Sequence, residues 1–371
     1  MEAATVYSPL DDIPRISTDT IHYFDSSTLL PPTYNYVFQE VENFRLAFGI
    51  LNILERYGRH IDPNTSKQSS FWVGKGLFLP RVYHHVRLRQ TIPLTLPAFP
   101  CKSPNNVDKV LGHLPDLGEE LALRRLNSLA VDIGRVYKPG AYVNIATDGI
   151  LFNDILGVPD EICWEYGEAL KSIIAEGSLT RIRLLQPMNL LGIIPGKIIS
   201  RHEYLSATFS CRLSLERRFA PSEDTLTKAI NNPTSQDTCL TYRGMLRFLS
   251  SDLGSSASLL GLGRNAKGKV LRGMARKMMQ QSEAFTLAIR TLRPLDVRLS
   301  MHPSSGAVKL SIPLIPGPDG GFQKSPWHSC VVVGVNGACR MAHVSEVRDT
   351  HDLVFHRGQP WFYRERRSLV G

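Results

Sequence analysis

The sequence predicts an α/β fold: a Rossmann-like mixed sheet flanked by helices, with a C-terminal antiparallel hairpin or meander. Two observations carry this prediction. Residues 90–177 alternate between strand-type and helix-type patterns, which is typical of a parallel sheet with crossover helices. Residues 296–302 and 307–315 then alternate strictly between apolar and polar side chains around a Pro-Ser-Ser-Gly segment, and this spacing is typical of a hairpin.

The N-terminal elements are predicted from composition and periodicity. Residues 1–35 are rich in Pro, Ser, Thr and Asp and predict a loosely ordered arm, so we place a single domain at 36–365. Apolar residues recur at helical spacing over 36–58, which predicts a helix. The following segment alternates and then becomes apolar, which predicts strands that end just before Lys102.

The later elements follow from helix-end signals and apolar runs. An acidic residue opens an amphipathic helix within 112–137, and residues 139–149 contain a turn, a short apolar strand and polar residues. The helix over 159–177 starts with Pro and acidic residues and stops at a Gly. Residues 178–290 are predicted to be mostly helical, and 328–335 to add a strand after the hairpin.

Composition narrows the class of protein. The 371 residues are 43% hydrophobic and 21% charged, and no apolar run reaches the roughly 18 residues of a membrane span. The acidic N-terminus does not resemble a secretory signal, so we expect a cytoplasmic protein. The six cysteines are scattered, without the spacing of a disulfide framework or a zinc site, and we expect no metal.

The net charge of +9 has three interpretations: nucleic-acid binding, attraction to an anionic surface, or an anionic substrate. No compact run of basic residues interleaved with aromatic residues is present, and a nucleic-acid partner is not expected. A small phosphorylated substrate is compatible with the diffuse basic charge.

The predicted hairpin places polar side chains on one face. Because alternate residues of a strand share a face, Arg298, Ser300 and His302 lie on the same side as Lys309 of the return strand. Cations and hydroxyls without a carboxylate indicate an anion-binding surface. The alternative is an ordinary face exposed to solvent.

Other candidates follow from their place in the fold. Asp148 comes directly after the apolar strand at 142–146, where open α/β sheets bind their ligands, and Asp154 follows soon after. Either acid could instead be a turn or cap residue. His328 precedes a buried-looking strand and suits acid–base chemistry, although a structural role is the alternative. Arg201 belongs to a possible charge cluster or to a helix surface.

Six segments, in this order, resemble the pyoverdine/dityrosine biosynthesis family, whose members are isocyanide (isonitrile) synthases and related tyrosine-formylating proteins. The resemblance covers about residues 90–365. The segments that carry it are LPAFPCKSPN, LPDLGEELAL, YKPGAYVNIATDGILFND, YRGMLRFLSSDL, VRLSMHPSSGAVKLSIPL and PWHSCVVV.

The resemblance implies a specific reaction. An L-amino acid supplies the nitrogen and the skeleton, and the ketone carbon of the co-substrate ribulose 5-phosphate becomes the isonitrile carbon. Condensation of the amine with the ketone, loss of phosphate and carbon–carbon cleavage leave the N≡C group, without a metal or a redox cofactor. A non-heme iron 2-oxoglutarate oxygenase is the pathway partner that the resemblance suggests.

Lys102 gains a role from this chemistry. Between Pro100 and Pro104 it is expected to be partly desolvated, with a lowered pKa, and to act on phosphate or on the ketone. The candidate catalytic residues are therefore Lys102, Asp148, His302 and His328. The candidate substrate-binding residues are Arg298, Lys309, Ser300, Asp154, Arg243 and Arg201.

Two alternatives stay open at this point. An amino-acid N-formylating enzyme of the dityrosine type would share the fold and the first steps. A basic binding protein without catalytic activity belongs to a different class, and steeply salt-dependent nucleic-acid binding would identify it.

Overall fold

A computed structural model of the protein describes residues 32–62, 67–69, 71–194, 196, 198–232, 236–253, 256 and 259–366. Most of the predicted arm at 1–35 lies outside the described residues. The chain divides into two units, 1–41 and 42–371. Within the first unit, the described residues are the opening turns of a long helix. No helix in the described part of the chain is long and apolar enough to cross a membrane.

Eleven α-helices, one 3₁₀ turn (Pro326–His328) and eleven strands are assigned in the described residues. The helices are α1 (Pro32–Tyr57), α2 (Lys75–Arg87), α3 (Leu117–Val136), α4 (Gly149–Leu156), α5 (Asp160–Glu176), α6 (Pro187–Leu190), α7 (Arg201–Phe219), α8 (Glu223–Asn231), α9 (Gln236–Asp252), α10 (Arg264–Leu292) and α11 (Val344–Val347). The strands are β1 (His60–Ile61), β2 (Gln68–Ser69), β3 (Ile92–Pro97), β4 (Ala141–Ala146), β5 (Ile182–Leu185), β6 (Val297–Ser300), β7 (Leu310–Ser311), β8 (Cys330–Val333), β9 (Cys339–Ala342), β10 (His351–His356) and β11 (Gln359–Glu365).

The central sheet has the order β5-β4-β3-β6-β7, and every neighbouring pair is parallel. Its middle strands are apolar runs that are buried almost throughout, as expected for a parallel sheet covered on both faces. The predicted α/β class with a parallel core is therefore confirmed. Thr95 of β3 lies opposite both Asn144 of β4 and Arg298 of β6, so these three side chains share one face.

The C-terminal sheet has the order β10-β11-β8-β9. β8 pairs with β9 and β10 with β11 in antiparallel fashion, whereas β11 and β8 are parallel. The predicted strand at 328–335 corresponds to β8. The antiparallel hairpins at the C-terminus thus exist, but they lie beyond residue 328. A further two-stranded sheet pairs β1 with β2.

The predicted hairpin over 296–302 and 307–315 is wrong. β6 and β7 run parallel, with Leu299 opposite Leu310, and they extend the central sheet. The nine residues from Met301 to Lys309 form a loop instead of a tight turn. The Trp72 indole donates to the Gly306 carbonyl at 2.8 Å, which anchors this loop to the rest of the domain. A period of two residues is common to parallel and antiparallel strands, so it could not fix the direction.

The start of α4 is packed tightly against the loop that follows β3. A Cβ atom on Gly149 would lie 1.8 Å from the Pro100 carbonyl oxygen. The contact is backbone to backbone, and a side-chain rearrangement cannot relieve it. Glycine is therefore required where these two segments meet.

We predict that Gly149→Ala lowers the free energy of unfolding by about 1–3 kcal/mol, because the methyl group forces the two backbones apart. The matched control is Gly49→Ala within α1, where an added Cβ meets no atom within 4 Å. That variant should be neutral or slightly more stable, since alanine favours helix. Denaturant titration measures both. Equal stability of the two variants would contradict the packing argument.

Candidate active site

A cavity of about 500 Å³ opens at the carboxyl ends of the central strands. The loop after β3, the start of α4 and the segment after β6 form its base, and this is where open α/β sheets bind ligands. Helices α9 and α10 cover it from one side. The described lining residues are Ile61, Pro100, Cys101, Lys102, Ser103, Asp148, Phe152, Leu156, Thr241, Gly244, Met245, Phe248, Met278, Ser282, Met301, His302, Pro303, Lys309, Trp327 and His328.

Asp148 is the cavity carboxylate. It directly precedes α4, but its side chain makes no capping hydrogen bond, and its Oδ1 atom is buried without a hydrogen-bond partner among the described residues. Burial raises the pKa of Asp148 to about 7, and the positive charge of Arg298 opposes this shift only in part. Asp148 can therefore give or take a proton near neutral pH.

Two histidines line the same cavity. The His328 ring packs on Phe248 at 4.5 Å between ring centroids, and burial together with Lys109 lowers the pKa of His328 to about 3. The His302 side chain is exposed, and the surrounding protein together with the charge of Lys309 lowers its pKa. Both imidazoles are neutral at pH 7, so each can donate or accept a hydrogen bond.

Lys102 borders the cavity, but its ammonium group is fully buried among acceptors. Its Nζ atom lies 2.7 Å from Asp116 Oδ2, 2.8 Å from Glu119 Oε2 and 3.0 Å from the Pro326 carbonyl oxygen. An ammonium group has three donors, and these three acceptors occupy them. The Tyr166 hydroxyl also donates a hydrogen bond to Glu119 Oε1 at 3.1 Å.

The predicted lowered pKa of Lys102 is wrong. Burial alone would lower it, but the charges and hydrogen bonds of Asp116 and Glu119 outweigh burial, and the net shift is upward. Burial raises the pKa of Asp116 to about 7; Lys102 opposes that shift and Glu119 adds to it. In this arrangement Lys102 has no donor left for a phosphate or a ketone, and it connects the loop after β3 to the start of α3.

The carboxylates that hold Lys102 also build the end of a helix. Asp116 caps α3 by accepting from the Gly118 amide at 2.8 Å, and Glu119 accepts from the Asp116 amide at 3.0 Å. This capping box explains why the helix begins where it does. The Asp-x-x-Glu spacing was visible in the sequence, but a capping box usually faces solvent, and nothing local signalled its burial.

The remaining substrate-binding candidates divide into two groups. Lys309 lines the cavity. Ser300 is buried outside the cavity lining, and the Ser300 Oγ atom accepts a hydrogen bond from the His302 amide at 3.2 Å. Arg298 is absent from the cavity lining and lines a neighbouring cleft, because β6 ends at Ser300 and the chain then changes direction. The shared face expected for Arg298, His302 and Lys309 is therefore not formed.

Three further candidates lie outside the cavity lining. Asp154 is exposed on α4 and accepts a hydrogen bond from the Ile155 amide. Arg201 is the exposed first residue of α7. Arg243 is exposed on α9, because this helix turns Thr241, Met245 and Phe248 toward the cavity instead.

Sequence reasoning missed most of the apolar lining. Met245 and Phe248 come from α9 and Met278 from α10, both far along the chain from the strands. It also missed Asp252, whose buried carboxylate pairs with Lys109 and accepts from Ser103. Helical spacing on α9 was the only available signal, and it is equally typical of ordinary core residues.

We predict that Lys102→Met lowers the free energy of unfolding by about 3–5 kcal/mol, because two carboxylates stay buried without their cation. The control is Lys171→Met, which removes an ion pair whose two side chains are each 45% exposed, and it should change stability by less than about 1 kcal/mol. Adding Glu119→Gln to Lys102→Met should recover part of the loss in denaturant titrations. No recovery would contradict this account of the buried charges.

Comparison with known proteins identifies the family. The family model described as "Pyoverdine/dityrosine biosynthesis protein" matches residues 82–354. The isocyanide synthase xanB of Aspergillus fumigatus is 42% identical over 332 residues, which cover 88% of this chain and 43% of that protein. This chain spans less than half of the length of that relative and of two other fungal isocyanide synthases.

Bacterial relatives are spanned more fully. An L-tyrosine isonitrile synthase of Xenorhabdus nematophila is 33% identical, with 77% of this chain and 81% of that protein covered. The crystal structure of the PvcA protein of Pseudomonas aeruginosa superposes with a TM-score of 0.74 at 26% identity, covering 86% of this chain and 100% of that chain. The chain therefore belongs to the pyoverdine/dityrosine biosynthesis family, which includes the isocyanide synthases.

Proposed function

We propose that this chain is an isocyanide synthase that condenses the amino group of an L-amino acid with the ketone of ribulose 5-phosphate. The observation that carries the proposal is the gathering of Asp148, His302, His328 and Lys309 around one cavity at the carboxyl ends of the parallel strands. Relatives named isocyanide or isonitrile synthases support the formation of an isocyanide.

Proton transfer is the first requirement of this chemistry. The amino acid arrives as an ammonium ion and must lose a proton before its nitrogen can attack a ketone. Asp148, with a pKa of about 7, is the group whose pKa suits acceptance of that proton, while the neutral imidazoles of His302 and His328 can donate or accept hydrogen bonds at the substrates. We assign Asp148 to acid–base catalysis and the two histidines to hydrogen bonding with the reacting groups.

The phosphate of the sugar needs positive charge within the cavity. Lys309, in the segment before β7, supplies this positive charge. Arg298 adds a positive potential that also acts on Asp148. Lys102 is a positioning residue in this proposal: its ion pairs hold the loop after β3 at the edge of the cavity.

The apolar side of the cavity suits the side chain of the amino acid. Phe152, Met245, Phe248, Met278 and Trp327 form a surface without charge. Bacterial relatives of this chain are named for L-tyrosine and for L-tryptophan. We therefore propose an L-amino acid with an aromatic or another apolar side chain as the substrate.

The direct test is an incubation of the purified protein with ribulose 5-phosphate and a pool of L-amino acids. We expect mass spectrometry to detect an isonitrile of one apolar or aromatic amino acid, and the product to form also in the presence of a chelator. Acid must be avoided during extraction, because hydration converts an isonitrile into a formamide. A formamide under these conditions would indicate N-formylation, and no consumption of either substrate would contradict the proposal.

The pH dependence tests the role of Asp148. We predict that kcat/KM increases as the pH is raised through about 7, because the Asp148 carboxylic acid ionises to the base. At pH values below about 7, kcat/KM decreases because Asp148 is protonated. Asp148→Asn should lower kcat/KM by about 10²–10⁴-fold and remove this limb from the residual profile.

Asp154→Asn is the matched control, because it makes the same change at an exposed position of α4, the helix that Asp148 directly precedes. It should keep both the rate and the pH profile of the wild type. An Asp148→Asn enzyme that retained the limb near pH 7 would assign the titration to another group.

A further inference from the structure

A second cleft lies beside the candidate active site. Its volume is about 440 Å³, and it is formed by α2, the C-terminal end of α10, β6 and the loop before β7. Helix α10 contributes to both sites: Ser282 lines the active-site cavity, while Ile289, Arg290 and Arg293 line the cleft. Ile289 lies seven positions after Ser282, a rise of roughly 10 Å along the helix axis.

Four arginines line this cleft, which we call the arginine cleft: Arg81, Arg290, Arg293 and Arg298. One carboxylate, Asp296, is the only acidic group of its described lining. That carboxylate already accepts from Arg293 Nε at 2.6 Å and from the Thr95 hydroxyl. The cleft therefore carries a clear excess of positive charge.

Two of the arginines are held in fixed positions by protein acceptors. Arg293 is bound by Asp296, and Arg81 donates to the carbonyl oxygens of Pro294 at 3.2 Å and Leu77 at 3.1 Å. A bound anion would therefore meet guanidinium groups whose orientation is already set, which lowers the entropy lost on binding.

Arg298 is the unusual member of the cleft. Its Nη1 atom is buried and has no hydrogen-bond partner among the described residues, and Arg290 places a second positive charge close enough to act on it. Asp148 acts on Arg298 through its charge, but it does not hydrogen-bond to Nη1. A buried guanidinium donor without an acceptor is costly, so Arg298 adds positive charge beside the cleft that the described residues satisfy only in part.

We propose that the arginine cleft is a second anion site, distinct from the candidate active site, and that it binds a phosphate group. Guanidinium forks match the oxygens of phosphate and bind them in pairs, whereas a carboxylate offers fewer acceptors. The phosphate can belong to inorganic phosphate or to a small phosphate monoester, whose carbon skeleton would contact Leu77, Phe78 and Val308 on the apolar side. The proposal does not depend on the reaction proposed above.

Isothermal titration calorimetry tests it with two probes, inorganic phosphate and glycerol phosphate, which is a monoester without a ketone. We expect binding of at least one probe, and Arg290→Met should weaken it by about tenfold or more through the loss of a charge-assisted hydrogen bond. Arg290→Lys should retain part of the affinity. Tighter binding of glycerol phosphate would identify a monoester as the ligand, and tighter binding of phosphate the free ion.

Two control variants make the result specific. Arg276→Met removes an exposed arginine from the same helix outside the cleft, and Lys309→Met removes a cation from the active-site cavity. Arg276→Met should keep the affinity of the wild type for the probe, and in Lys309→Met the binding component that Arg290→Met weakens should remain. Failure of both probes to bind, or binding lost in Lys309→Met and kept in Arg290→Met, would overturn the proposal.

Discussion

The buried ion cluster around Lys102 is the constraint on which the candidate site depends. One ammonium group joins the loop after β3, the first turn of α3 and the carbonyl oxygen of Pro326. Pro326 begins the short helical turn that carries His328 and leads into the second sheet. The cluster therefore sets the distance between the central sheet and the histidine that faces the cavity. A buried pair of this kind adds little net stability over an apolar core, but it is costly to break, so it favours one arrangement of these segments.

The same burial explains the acid–base properties of the site. Partial burial raises the pKa of Asp148 to about 7 and lowers that of His328 to about 3, so the carboxylic acid is near half-ionisation at neutral pH while this imidazole is neutral. Because Lys102 is neutralised by its own carboxylates, its charge does not dominate the cavity. Arg298 lines the arginine cleft, and its charge acts on Asp148, which lines the cavity.

Much of the architecture was accessible from the sequence, because apolar runs and helix caps are local signals. The rule that ligands bind at the carboxyl ends of parallel strands placed Asp148 correctly in the cavity. Strand direction was not accessible, since alternation is the same in parallel and antiparallel pairs, and β6 and β7 were misassigned as a hairpin. The buried ion cluster around Lys102 was also not accessible from the sequence, because it includes the carbonyl oxygen of Pro326, more than two hundred residues away in the chain.

In the proposed reaction, the ketone carbon of a phosphosugar is transferred to the nitrogen of an amino acid in this cavity. Carbon NMR of the product formed from ribulose 5-phosphate labelled with carbon-13 at the ketone carbon follows that transfer. We expect the label in the isonitrile carbon, bonded to the nitrogen of the amino acid. An isonitrile without the label, or a label that stays in a sugar fragment while the isonitrile forms, would contradict it.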